Sequence, residues 1–163
     1  MTPLRLGLAA LLLLLLSTPL LAEKPNDALA LTGVTTGRVV FDINTTQAGK
    51  LSLYLQVIRE THADLQRQGV TPEMVLAFRG KAVTLVTADR QHQELTEYED
   101  LDRVAEQIKE LQGLGARMEG CSIATRLYGV DNQTLLPGIT PVGNTFVSLI
   151  GYQARGYALI PIY

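Results

Sequence analysis

The 163 residues carry a net charge of −2, with 14 basic and 16 acidic side chains spread along the chain and no block of either sign. That distribution leaves no basic face for nucleic acid, and a chain with no Trp and 6% aromatics offers little to stack on a base or a sugar. A single cysteine excludes any internal disulfide framework.

The chain opens with Arg5, an apolar run from Leu8 to Leu16, then Ser17-Thr18-Pro19 and a small residue at Ala22. This is the pattern of a secretory signal peptide over residues 1–22, cleaved after Ala22, and it predicts export to the periplasm. The run is shorter than the roughly 20 residues that span a bilayer, so no membrane contact is expected after cleavage. No cysteine follows it to carry a lipoprotein anchor. The remaining chain of about 140 residues suits one domain.

Residues 23–37 are polar, with Pro25 and Gly33, and read as a linker or loosely docked arm. The domain is expected over 38–163. Arg38–Ile43 is short, β-branched and nearly all apolar, as in a central strand, with Asp42 near its C-terminal end. Asn44, Thr45 and Thr46 are N-cap candidates. Leu51, Leu55, Ile58, His62 and Leu65 then recur at helical spacing, which predicts an amphipathic helix over 47–68, stopped by Gly69. His62 on that face reads as a packing residue.

Met74–Phe78 is a second strand, broken at Arg79-Gly80. Gly80 marks a turn at which backbone approaches something closely. Lys81–Thr87 fits a strand or a short buried helix equally well. Residues 88–100 are charged, and His92 among its acids matches no zinc or calcium spacing, so a solvated loop and no metal are expected. A second amphipathic helix covers about 100–112, closed by Gly113. Ala116–Cys121 is a third strand and Ser122–Tyr128 a helical turn after it. The turn-rich piece 129–140 has room for a short helix around Leu135-Leu136. Pro141-Val142 is extended, Asn144 or Thr145 caps a helix to Arg155, and Tyr157–Ile160 is a last strand ended by Pro161.

Strands alternating with helices predict a three-layer α/β domain with a mostly parallel sheet of about five strands. In such sheets ligands gather beyond the C-terminal strand ends. Asp42, Asn44, Arg79, Gly80 and Cys121 all fall there and are expected on one rim. Cys121 sits at a strand-to-helix junction, where unpaired N–H groups and the helix dipole favour a thiolate, and Arg117 and Arg126 are close in sequence. That suits a nucleophile or sulfur carrier; the other reading is a buried cysteine acting as a small hydrophobe. The chain lacks a Gly-x-Ser-x-Gly elbow, and Asn44–Ala48 lacks the glycines of a nucleotide loop, so neither a serine hydrolase nor a cofactor is expected.

Five stretches together carry a resemblance. They are Phe78-Arg-Gly-Lys-Ala-Val83, Leu114-Gly-Ala-Arg-Met-Glu-Gly-Cys121, Ala124-x-Arg126-x-x-Gly129-Val130, Leu136-Pro-Gly-Ile139 and Gly151-Tyr-Gln-Ala-Arg-Gly-Tyr-Ala-Leu-Ile160. From Arg38 to the C-terminus the chain resembles the DsrE/DsrF-like family, and most of all its exported branch. The resemblance implies an α/β/α sandwich that assembles into oligomers, often trimers or hexamers. It implies that Cys121 accepts sulfur as a persulfide and hands it on, with Gly120 and Ser122 as its backbone cradle. The partners it implies are a sulfur donor or acceptor protein, or a small sulfur anion. Exported members often have His-Gly where this chain has Arg79-Gly80. Arg79 stays charged and cannot shuttle a proton, but it can stabilise a thiolate or bind an anion such as thiosulfate. The alternative is a module without turnover, binding a small anion or building an oligomer, with Cys121 structural.

Overall fold

Apolar strands with no polar face must be covered on both sides, and that requirement shapes the whole domain. The computed structural model describes residues 24–91 and 93–163. The expected signal peptide and His92 lie outside the described residues. Five strands form one sheet: β1 (Thr36–Ile43), β2 (Thr71–Phe78), β3 (Arg117–Cys121), β4 (Ile139–Val142) and β5 (Ala158–Ile162). Their order is β4-β3-β2-β1-β5 and every neighbouring pair is parallel.

Alternate residues of the strands serve two different cores. Phe41, Ile43, Leu76 and Phe78 face one side, where they pack on Leu51, Leu55 and Ile58 of α1 (Ala48–Arg67) and on Val104 and Ile108 of α2 (Tyr98–Gly113). Val40, Val75 and Ala77 face the other, where only α4 (Thr145–Ala154) covers them, through Leu149 and Tyr152, with Tyr157 beside it. Each fully buried Leu, Ile or Phe stabilises the fold by about 1.5–3 kcal/mol, so most of the stability lies on the α1/α2 side. The layers are thus two long helices, the sheet, and one shorter helix.

Several boundaries differ from expectation for physical reasons. Lys81–Thr87 resolves as a 3-10 helix, Gly80–Leu85, whose Ala82, Val83 and Leu85 are buried in the larger core. The short helix expected at Leu135-Leu136 forms one turn earlier, at Asn132–Thr134, because the Asp131 side chain accepts from Gln133 N–H. Leu135 instead bridges Thr87. Pro161 does not end the last strand but lies inside β5, opposite Asp42. β5 is an edge strand, where a missing N–H costs least. The cap of α1 is Gln47, with no side-chain hydrogen bond, rather than Asn44, Thr45 or Thr46. Asn144 does cap α4, accepting from Phe146 N–H at 2.9 Å.

The arm before β1 is tied to the end of α1: Lys24 pairs with Asp64 at 2.6 Å, and Gln68 accepts from Asp27 N–H at 2.6 Å. Among the described residues no helix is long and apolar enough to cross a membrane.

Candidate functional site

Parallel pairing brings the C-terminal ends of all five strands to one edge of the sheet, as expected. Register sets Ile43 opposite Phe78, so Asp42 at the end of β1 lies beside Arg79 just beyond β2. The two form a bidentate pair, Arg79 Nε to Asp42 Oδ1 at 2.5 Å and an Arg79 terminal nitrogen to Asp42 Oδ2 at 2.9 Å. The Asn44 amide, oriented to satisfy its neighbours, accepts from the other terminal nitrogen and donates to the Arg79 carbonyl, both at 3.2 Å. Gly80 makes this fit possible. Its φ is +53°, and a Cβ there would run into the Asn44 amide. The Asp42 hydrogen bonds raise the Arg79 pKa above its usual value against the opposing effect of burial, and a charge on Cys121 adds to the rise. The Phe146 ring lies 5.4 Å from the guanidinium.

Cys121 ends β3, opposite Val142 of β4, and is the N-cap residue of the short helix α3 (Ser122–Leu127). It is 5% exposed. Burial alone pushes its thiol up. The Thr145 N–H, the Thr145 hydroxyl, and the Ala124 and Ile123 N–H groups outweigh that and leave the thiol below its ordinary value. The sulfur therefore sits between the start of α3 and the start of α4.

Thr145 is the residue sequence reasoning missed. It is fully buried, its hydroxyl has no hydrogen-bond partner, and it lies close enough to Cys121 to help lower the thiol. A hydroxyl buried without a partner costs about 1–3 kcal/mol, so Thr145 is held there at a cost to the fold. Nothing in the sequence marks Thr145 beyond its place at a helix start. Only the strand order, which sets β4 next to β3, brings it to the cysteine.

Gly120 and Ser122 flank the sulfur differently from the cradle implied by the resemblance. A Cβ on Gly120 would lie 2.9 Å from Leu135 Cδ1, so that glycine makes room for the core. Ser122 Oγ accepts from Asn132 at 3.1 Å. The N–H groups that weigh most at the sulfur are those of Thr145, Ala124 and Ile123. Arg117 donates to the Tyr157 hydroxyl at 3.1 Å, at the opposite end of β3. His62 is buried on α1. Among the described residues no group of three or more His, Cys, Asp or Glu side chains is placed to hold a metal.

An all-parallel sheet in this order, with a cysteine between two helix starts, can be set against known proteins. The DsrE/DsrF-like family matches residues 38–162. The chain belongs to the DsrE/DsrF-like family. An uncharacterized protein of Aquifex aeolicus (strain VF5) is 24% identical to this family member over 125 residues, 76% of this chain and 55% of the relative. The chain thus spans about half the length of that relative. Two solved structures share the fold. MTH1491 of Methanobacterium thermoautotrophicum, a protein of unknown function, superposes with a TM-score of 0.61 at 24% identity, covering 77% of this chain and 98% of that one. The ychN protein of E. coli gives 0.55 at 16% identity, over 77% and 99%.

Proposed function

We propose that this DsrE/DsrF-like protein is a periplasmic sulfur carrier, sulfurtransferase-like in its chemistry, that accepts sulfur as a persulfide on Cys121. The observation that carries this reading is the set of N–H and O–H donors from α3 and α4 around the Cys121 sulfur, which favours the thiolate. The thiolate attacks the outer sulfur of a donor persulfide R–S–SH. A bond forms from Cys121 Sγ to that sulfur, the donor S–S bond breaks, and the donor leaves as a thiolate that takes up a proton. An acceptor thiolate then attacks the outer sulfur of the Cys121 persulfide and releases Cys121 in its starting form. Sulfur moves with no net oxidant or reductant. Asp42, Asn44, Arg79 and Gly80 form the wall of the rim.

The test is incubation of the pure protein with polysulfide or thiosulfate, each of which carries a transferable sulfane sulfur, followed by intact mass. A gain of whole sulfur atoms, absent in Cys121→Ser, supports the carrier; no gain removes it. Export rests on residues 1–22, and the N-terminal sequence of the protein recovered from a periplasmic extract tests it.

A second reading, an assembly module with Cys121 structural, draws on α4. This helix is apolar on both sides: Leu149 faces the sheet while Phe146, Val147 and Ile150 are 58%, 66% and 68% exposed. Leu159 and Ile160 of the β5 edge strand are also exposed. A helix apolar all round belongs in an interior, which supports a homo-oligomer, a trimer or hexamer, closed over this face. Sedimentation of Ile150→Lys beside the wild type tests it. A thiol that resists alkylation in the native protein would favour this module over the carrier.

A further inference from the structure

On the α4 side of the sheet, a cavity of about 220 Å³ opens beside β3, lined by Glu119, Ser148, Gly151, Tyr152 and Arg155. None of these belongs to the rim described above. The cavity holds two opposite charges that do not meet each other. Glu119 Oε1 accepts from the Tyr152 hydroxyl at 2.7 Å, but Glu119 Oε2 is buried with no hydrogen-bond partner. Arg155 lies 5.6 Å from the centres of both the Tyr152 and Tyr157 rings and joins no ion pair among the described residues. A buried carboxylate oxygen without a donor is costly, and a cation supplies the donor. A guanidinium with its edge free takes a carboxylate in bidentate fashion.

Cys121 does not line the cavity and packs with the larger core, but the two elements that line the cavity run toward it. Glu119 and Cys121 are two apart on β3, which places them on the same strand face about 6.6 Å apart along the chain. Thr145, which lies close to the sulfur, is three residues before Ser148 on α4, so they are neighbours on one helix face. Both elements that line the cavity therefore lead to the sulfur within one step.

We propose that this cavity is the donor subsite, and that it binds a free α-amino acid persulfide by its head, the ammonium on Glu119 Oε2 and the carboxylate on Arg155, with the sulfurs extended along β3 toward Cys121. One methylene and two sulfurs reach about that distance. The Cys121 thiolate takes the outer sulfur, the inner S–S bond breaks, and the amino acid leaves as its thiolate and is protonated. This deepens the carrier reading and rests on it for the transfer step; the head-group site stands on its own geometry.

The test separates the two. S-methyl-L-cysteine carries the head group and no reactive sulfur, so its binding by calorimetry is independent of the transfer. It is expected to bind the whole chain roughly 10- to 100-fold more tightly than 3-(methylthio)propionate, which lacks the ammonium, or S-methylcysteamine, which lacks the carboxylate. Glu119→Gln keeps an acceptor for Tyr152, and Arg155→Gln is on the surface; each is expected to lower the affinity by a similar factor. In the second arm, loading of Cys121 by cysteine persulfide saturates with concentration in the wild type and loses saturation in either variant. No binding of S-methyl-L-cysteine, or equal binding of all three thioethers, overturns the subsite. Preferential binding of the zwitterion without any sulfur on Cys121 keeps the subsite and removes the carrier.

Discussion

The two halves of the rim are built on opposite terms. At the β1/β2 end every charge is matched: Asp42 and Arg79 meet in two hydrogen bonds, Asn44 closes the remaining edge of the guanidinium, and Gly80 lets the amide in. At the β3/β4 end the donors outnumber the acceptors. The Thr145 hydroxyl is fully buried without a hydrogen-bond partner, and the Thr145, Ala124 and Ile123 N–H groups lower the Cys121 thiol. A matched pair holds a fold together and has little left to offer a ligand. A surplus of donors around one sulfur favours its anionic form, which is the reactive one. The position that looked most like an anion site by charge, Arg79, is thus the more architectural, and the apparently inert Thr145 the more chemical.

The largest expected effect tests the matched end. Arg79→Met leaves the Asp42 carboxylate buried without its partner and is expected to cost about 3 kcal/mol in urea unfolding. Adding Asp42→Leu should recover much of that, because the pair then disappears as a unit. If the double variant is as unstable as the single, the clamp is not what holds this end. Gly80→Ala comes next, at about 2 kcal/mol, for a strained left-handed φ and a clash with the Asn44 amide.

Tyr152→Phe removes the hydroxyl that donates to Glu119 and is expected to cost about 1 kcal/mol near neutral pH. Burial, then the Glu119 hydrogen bond, push the Tyr152 phenol up to about 12 from 10.0. The folded protein therefore holds this proton more tightly than the unfolded chain. Its contribution is fully present below pH 10.0 and is lost as pH rises toward about 12. Unfolding followed across that window should show a steeper alkaline loss in the wild type than in Tyr152→Phe.

The smallest effect tests the unmatched end. Thr145→Val keeps the backbone N–H and removes only the hydroxyl, so the Cys121 thiol should rise while staying below its value in a variant that also lost the N–H groups. The sign for stability is opposite to that of Tyr152. A lowered folded-state thiol releases its proton first, so stability is gained as pH rises from the folded value to the ordinary 9.0 and is lost on the way back down. Cys121→Ser should lack that gain.

How legible each half was follows from where its contacts lie in sequence. The 3.6-residue recurrence of Leu51, Leu55 and Ile58 marks α1 because one helix face is buried whole. Asp42, Arg79 and Cys121 could be brought to one rim from strand ends alone, since parallel crossovers return every strand in the same direction. Lys81–Thr87 was ambiguous because a run buried on several sides has no period. Pro161 misled because its place inside β5 depends on β5 being an edge, a property of strand order. Thr145 and Glu119 were invisible for the same reason. Their roles arise only when α4 lies across β3, which local spacing does not encode.

The most direct measurement follows the ultraviolet absorbance of the thiolate as the native protein is titrated, with Cys121→Ser subtracted. With a single cysteine in 163 residues the signal is unambiguous, and it does not depend on a reagent reaching the sulfur. A midpoint clearly below 9.0 is the expected result. A midpoint at or above that value would mean that burial prevails over the donors of α3 and α4, and the sulfur would then be part of the core and nothing more.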